Sequence, residues 1–225
     1  MLQRTERLKG RLIGFAILLL ACHRVLAGDP VDEGKRLIDE FVTDVVTFQG
    51  DFEQALIDAD GQVVEKTTGT LEIQRPGQFR WSYVEPYEQW LIADSLNIWS
   101  YDVDLAQVTV KPQAEALANT PALLLGGSAE ALEQFNYEGS YAETVTTWAR
   151  LAPKNTESGF VRVELGFIEG MLRRMVFFDN LEQTTLVEMH DVVVNGPIDP
   201  GRFRFNAPDD VDVVGTPIVA EIADH

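Results

Sequence analysis

Cysteine and histidine are scarce in this sequence of 225 residues. The chain contains one cysteine, Cys22, and three histidines, at positions 23, 190 and 225. One thiol cannot form an internal disulfide bond, and so few thiols and imidazoles cannot supply the ligands of a zinc site. A Gly-x-Ser-x-Gly motif, typical of hydrolase nucleophiles, is also missing, and no nucleophile can be nominated beside His190. We therefore expect no enzyme activity, no metal and no cofactor.

Basic residues are outnumbered by acidic ones. The chain has 18 Lys and Arg against 36 Asp and Glu, which gives a formal net charge of −18. Phosphate backbones and anionic lipid surfaces repel such a chain, so nucleic acid is excluded as a partner and proteins with basic docking surfaces are favoured. Acidic residues pair at several turns, as Asp58 and Asp60 do, but none has the spacing of an EF-hand loop. Solvated turns explain them better than a calcium site.

The N-terminal segment lacks the long apolar run of a membrane-spanning helix and instead has the three regions of a signal peptide. Four basic residues between Arg4 and Arg11 precede an apolar run at residues 12–21. That run is about half the length that a transmembrane helix needs. Small side chains at the end of the segment favour cleavage after Ala27. We therefore expect export to the periplasm, with a signal peptide at residues 1–27 and one domain at residues 28–225.

The same segment contains an alternative processing signal. Leu19-Leu20-Ala21-Cys22 has the pattern of a lipobox, in which Cys22 would be lipidated and become the mature N-terminus. The small-x-small site before Gly28 lies further along the chain and favours soluble release. Lipidation stays open at this point.

The mature part of the sequence predicts one helix followed by a long antiparallel meander. Apolar residues recur at helical spacing from Leu37 to Phe48. From Gln49 onward the period changes to two, in about ten short runs joined by hairpin-length links. These runs cover residues 52–57, 63–73, 79–84, 90–93, 98–103, 108–110, 144–151, 160–166, 171–178, 184–194 and 203–205.

A helical insertion interrupts the predicted meander between Pro112 and Phe135. Pro121 fits the first turn of a short helix, and Gly126 with Gly127 fits its end. A sheet of this size curls rather than staying flat, and the helices would then cover its concave face.

Large apolar side chains recur on alternate positions of the predicted strands. Alternation places Phe79 and Trp81 on one face of their strand, and Trp99 and Tyr101 on one face of theirs. We expect all of these residues to supply aromatic surface to one side of the sheet. An ordinary sandwich core would give the same pattern, so the periodicity alone does not establish a cavity.

Several short motifs are similar to those of a known family. They are Arg75-Pro76-Gly77-x-Phe79-Arg80-Trp81, Ile98-Trp99-x-Tyr101-Asp102, Gln107-Val108-Thr109, Asn119-Thr120-Pro121 and Phe203-Arg204-Phe205. With these motifs the mature chain resembles the LolA family of outer-membrane lipoprotein carrier proteins. The chain departs from the family at Ala93-Asp94-Ser95, where Ser-Asp-Gly is common, which leaves the conformation of that turn uncertain.

The resemblance implies a mainly β fold with some helix: an incomplete, half-open antiparallel β-barrel with an N-terminal helix and a helical lid over an apolar cavity. It also implies a monomeric periplasmic carrier. Such a carrier accepts the acyl chains of outer-membrane lipoproteins from an inner-membrane ABC transporter complex and passes them to an outer-membrane receptor.

The resemblance further implies roles for individual residues. Arg75 matches the lid latch, which would donate hydrogen bonds to backbone carbonyls around Leu125 and Gly126 and of the first helix near Val42. A guanidinium suits this role because it carries five donors and keeps its charge. Phe79 matches a cavity-lining position that is sensitive for transfer. The acyl-chain cavity would be lined by Phe41, Phe79, Trp81, Trp99, Tyr101, Leu123 and Leu124.

Two other functions stay open at the level of sequence. A lipid-anchored outer-membrane lipoprotein receptor of the same fold would use Cys22 as its anchor. A periplasmic hydrolase would tolerate loss of Arg75 but depend on a serine or carboxylate in a cleft, and no motif nominates one.

The signal-peptide pattern yields a first prediction. We expect the mature protein to begin at Gly28 and to carry no lipid, because the small-x-small site favours cleavage after Ala27. Mass spectrometry of the protein purified from periplasm measures this directly. An acylated Cys22 would contradict the prediction and support the receptor instead.

Overall fold

The computed structural model describes residues 32–116, 132–155 and 159–219. In this part of the chain, one helix, α1, precedes a single 12-stranded sheet. The bounds are α1 Glu33–Asp44, β1 Thr47–Ile57, β2 Val63–Gln74, β3 Gln78–Glu85, β4 Gln89–Asp94, β5 Asn97–Asp102, β6 Gln107–Pro112, α2 Gln113–Ala116, β7 Phe135–Glu143, β8 Thr146–Pro153, β9 Phe160–Ile168, β10 Met171–Asp179, β11 Thr184–Val194, a 3₁₀ helix Pro200–Phe203 and β12 Asp212–Val214.

The α1 sequence forms a helix because its start, its exposed face and its buried face all favour one. Asp32 caps the first turn and accepts hydrogen bonds from the backbone of Gly34 and Lys35. The exposed face carries ion pairs at helical spacing, such as Lys35 Nζ to Asp39 at 2.9 Å. The opposite stripe is buried and consists of Gly34, Leu37, Ile38 and Phe41.

The sheet consists of two antiparallel meanders joined through β1. The strand order is β12-β6-β5-β4-β3-β2-β1-β11-β10-β9-β8-β7, and every neighbouring pair is antiparallel except β12 with β6. β1 pairs with β2 on one side and with β11 on the other. Because β12 and β7 stand at the two ends and do not pair with each other, the sheet is open.

The expected number of strands is corrected by the structure. The sequence predicts about ten strands, whereas the described residues form 12. β7 is missing from the prediction because a bulge between Tyr137 and Ser140 breaks its alternation. β12 has three exposed residues and therefore no burial pattern. The predicted strand at residues 203–205 is also wrong, because Asp199 and Pro200 start a 3₁₀ helix there.

Most of the predicted helical insertion lies outside the described residues, so it stays a prediction. α2 follows β6 directly, at Gln113–Ala116. Residues 117–131, which contain the predicted lid, are not among those that the structure describes.

The turn between β4 and β5 keeps a tight conformation without glycine. Asp94 Oδ1 accepts hydrogen bonds from the backbone of Leu96 and Asn97, at 2.9 and 2.7 Å. Ser95 has φ 81°, in the left-handed region where a Cβ is strained. The turn therefore forms with Ser95 at the position where the resembled family commonly has glycine, and the backbone of Ser95 is strained.

We expect Ser95→Gly to raise the free energy of unfolding by about 1 kcal/mol, because glycine adopts a positive φ without strain. Ser100→Gly in β5 is the matched control and should instead lower stability, since glycine weakens a strand. Urea unfolding of both variants measures the difference. Destabilisation of equal size in both would show that Ser95 carries no strain.

Candidate functional site

The inner face of the sheet, defined here as the face covered by α1, carries a continuous layer of apolar side chains. Phe79 and Ile73 are completely buried there, and Trp81 is 3% exposed. The Phe52 ring contacts Trp81 and Tyr83 edge to face, with centroids 5.3 and 5.4 Å apart. Burial of this layer excludes water and stabilises the fold.

α1 lies against this layer through its apolar stripe. Leu37, Ile38 and Phe41 belong to the same buried cluster as Phe79 and Trp81. The Phe41 ring packs edge to face on Phe48 and Phe167, with centroids 5.9 and 6.4 Å away. Of the predicted cavity residues, Phe41, Phe79 and Trp81 are thus brought together. In this structure their side chains are buried in one cluster.

Arg75 fastens the C-terminal end of α1 to the turn after β2. Its Nη1 donates hydrogen bonds to the carbonyl oxygens of Phe41 at 2.9 Å and Val45 at 2.5 Å. The guanidinium carbon lies 4.5 Å from the centre of the Phe41 ring. The last carbonyls of a helix have no partner within the helix and carry partial negative charge, so a cation stabilises them. Burial lowers the pKa of Arg75 to about 10, which leaves it charged at neutral pH.

Of the predicted latch partners, the structure describes only Val42. The carbonyl oxygens that Arg75 binds belong to Phe41 and Val45, whereas the side chain of Val42 packs against the buried cluster. Leu123, Leu124, Leu125 and Gly126 lie outside the described residues. A role for them in a latch or cavity stays a prediction.

The predicted cavity lining is wrong for Trp99 and Tyr101. The register pairs Arg80 with Ile92 and Ile92 with Trp99, whereas Trp81 pairs with Leu91. Direct partners in an antiparallel pair point to the same side, so Trp99 and Tyr101 lie on the outer face, opposite Phe79 and Trp81. They pack on Phe205, with centroids 5.3 and 5.7 Å away. Alternation shows which residues of one strand share a face, and only the register relates that face to the next strand.

The outer face has its own surface pocket. Its volume is about 440 Å³, and it lies on the side of β3 to β5 that faces away from α1. The lining residues are Arg80, Glu88, Trp90, Tyr101, Val103, Arg204, Phe205, Asn206 and Pro208. Tyr101 therefore lines this pocket, and Trp99 packs on Phe205, which also lines it.

Asn195 is a further contact of α1 that the sequence reasoning missed. Its Oδ1 accepts hydrogen bonds from the backbone of Val46 at 2.8 Å and Thr47 at 3.3 Å, and its Nδ2 donates to Asp44 O at 2.9 Å. The Asn195-Gly196 pair after β11 signals a turn. Nothing in the sequence says that this turn lies beside a helix end almost 150 residues earlier.

Within the described ranges, no helix is both long and apolar enough to cross a membrane. No cluster of His, Cys, Asp and Glu in the same ranges could hold a metal ion.

Comparison with known proteins gives a consistent result. Residues 43–206 match the family model described as outer membrane lipoprotein carrier protein LolA. An outer-membrane lipoprotein carrier protein of Nitrosomonas europaea is 40% identical over 77% of this chain and 85% of its own length. Another protein of that name, from Halorhodospira halophila, is 39% identical over 87% of this chain and 92% of its own length.

A solved structure shows the same fold at low sequence identity. The crystal structure of an uncharacterized conserved protein from Thermus thermophilus matches with a TM-score of 0.51. The two chains are 14% identical, and the match covers 81% of this chain and 99% of the other. This likeness concerns the fold alone.

Proposed function

Since the chain belongs to the LolA family of outer-membrane lipoprotein carrier proteins, we propose that it binds the acyl chains of lipoproteins against the inner face of its sheet and carries them through the periplasm. The observation that supports this site is the continuous apolar layer around Phe79 and Trp81. α1 packs on part of this layer through Leu37, Ile38 and Phe41, and a helix can move away without dismantling the strands. Such a role needs no catalytic residue and no cofactor.

Energetics explain why such a carrier works with partners. Three acyl chains of about 15 methylenes each, at ~0.8 kcal/mol per methylene, represent roughly 35 kcal/mol of transfer free energy. Non-covalent binding saturates near ~20 kcal/mol. A single pocket cannot extract such a ligand from a membrane unaided. An inner-membrane ABC transporter complex would therefore load the carrier, and an outer-membrane receptor would unload it.

Arg75 is the proposed latch of the closed form. Acyl chains can reach Phe79 only if the cover over the inner face moves, and Arg75 holds one end of that cover through Phe41 and Val45. Hydrogen bonds to a charged donor contribute about 1.5–3 kcal/mol each. This is large enough to keep an empty carrier closed, and small enough for cargo binding to overcome.

The alternative of a lipid-anchored receptor rests on the lipobox that ends at Cys22. The state of the mature N-terminus separates it from the carrier: a free Gly28 belongs to the carrier and an acylated Cys22 to the receptor.

The four tryptophans allow a direct test of which face binds acyl chains. Trp81 is on the inner face, whereas Trp90, Trp99 and Trp148 are on the outer face. We expect a triacylated lipopeptide with brominated acyl chains to quench Trp81, because bromine quenches only at contact distance. The measurement is fluorescence of the wild type, of Trp81→Phe and of the control Trp148→Phe. Quenching should disappear in the first variant and persist in the second. The reverse pattern would place the acyl chains on the outer face.

We expect Arg75→Leu to load lipoprotein but to release it poorly, because the closed form that expels cargo loses its hydrogen bonds. The loss of two such bonds shifts the open-to-closed balance on the order of a hundredfold. Arg75→Lys should recover only part of this, since one ammonium cannot replace the planar fork of donors. A transfer assay that scores loading and hand-off separately measures the effect. Equal hand-off by all three proteins would remove Arg75 from the mechanism.

A further inference from the structure

The two ends of α1 are attached to the sheet in different ways. At the C-terminal end the chain passes through only Val45 and Val46 before β1 begins. Arg75 and Asn195 also bind this end. At the N-terminal end, Asp32 is the first residue that the structure describes, and it attaches the helix to β7.

One carboxylate oxygen holds the N-terminal end. Asp32 Oδ1 accepts a hydrogen bond from Ser140 Oγ at 2.6 Å and another from the hydroxyl of Tyr137. The same oxygen accepts from the backbone of Gly34 at 3.1 Å and Lys35 at 3.3 Å. Asp32 therefore caps the helix and ties it to β7 at once. The hydrogen bonds, above all that from Ser140, lower the pKa of Asp32, so it is ionised at neutral pH.

A bulge in β7 brings both hydroxyl donors to the side of α1. Tyr137 and Ser140 are three residues apart and would face opposite sides of a regular strand. The bulge between them, with Gly139 at φ 105°, turns both toward α1. On the helix side, a Cβ at Gly34 would lie 2.4 Å from Ser140 Cβ, so only glycine allows this approach.

The two attachments also differ in their exposure to water. The hydrogen bonds of Asp32 to Tyr137 and Ser140 are exposed, whereas those of Arg75 are partly buried. Water can replace the partners of an exposed hydrogen bond as it opens, and it cannot do so for a buried one without a penalty. The N-terminal contact is therefore the easier one to release.

We propose that the Asp32–Tyr137–Ser140 contact is the releasable fastening of the N-terminal end of α1, and that the helix opens from this end first, before Arg75 releases Phe41 and Val45. The proposal rests on the proposed function, since the movement uncovers the inner face for acyl chains. α1 is about 18 Å long at 1.5 Å per residue. Rotation about its C-terminal end therefore displaces the first turn most, whereas Phe41 lies near that end and leaves the sheet only when Arg75 releases it.

The test is the double variant Tyr137→Phe with Ser140→Ala. It removes both β7 donors and leaves the cap of Asp32 to its own helix intact. Tyr141→Phe is the matched control: it lies on the same strand and loses a hydroxyl that donates to Glu164 on the outer face at 2.7 Å. Hydrogen exchange followed by mass spectrometry, without any lipid, measures how often α1 opens.

We expect backbone amides in the first turns of α1 to exchange a few-fold to about tenfold faster in the double variant than in the wild type. Exchange in β1 and β11 should be unchanged. Tyr141→Phe should match the wild type. Equal exchange of α1 in the double variant and the control would overturn the proposal, and so would faster exchange confined to the last turn. If the double variant fails to fold, Ser140→Ala alone is measured in the same way.

A second measurement separates this proposal from the proposed function. Loading of the brominated lipopeptide, followed through Trp81, should be a few-fold faster in the double variant than in Tyr141→Phe. Equal loading rates in both would contradict a role of this contact in opening. Failure of the lipopeptide to bind even the wild type would overturn the proposed function, while the exchange experiment would still decide how α1 moves.

Discussion

The burial of one apolar sheet face is the constraint on which the rest of this structure depends. An open sheet with Phe48, Phe52, Ile73, Phe79 and Trp81 on one side cannot leave that side in water. A second sheet would cover it permanently, as in a sandwich. Here α1 packs on part of it, and this helix is attached to the sheet by a few contacts at its ends rather than along a ladder of strand hydrogen bonds.

Side chains of opposite charge bind the two ends of α1. The carboxylate of Asp32 is at the N-terminal end and the guanidinium of Arg75 at the C-terminal end, which is the arrangement that the helix dipole favours. Each group also bonds to the helix backbone, so each stabilises the helix itself as well as its position. A helix that leaves the sheet can thus keep its own structure, because Asp32 continues to cap Gly34 and Lys35 after its bonds to β7 are broken.

Periodicity in the sequence predicts most of the elements and much less of their relation to one another. The apolar stripe of α1 and the alternation of β2, β3 and β8 to β11 are local patterns, and the strands formed where they were expected. β7 was missed because its bulge shifts the alternation, and Trp99 was assigned to the wrong face because register is set by the hairpin and not by the strand. Arg75 came from the resemblance of its motif. The partners of Asn195 and Asp32 are more than 100 residues away in the chain, so no local pattern reveals them.

The position of β1 in the centre of the sheet has a consequence for how the molecule is made. Phe48, near the start of the chain, pairs with Val194, near its end. At a ribosomal rate of about 10 residues per second, some fifteen seconds separate the synthesis of these partners. During that interval β1 has one unpaired edge, and for most of it α1 lacks β7 and β8, the strands against which it packs. Long-range pairing of this kind delays folding until nearly the whole chain is available. Late completion of the sheet would suit export across a membrane as an unfolded chain, which the signal-peptide pattern at residues 1–27 predicts.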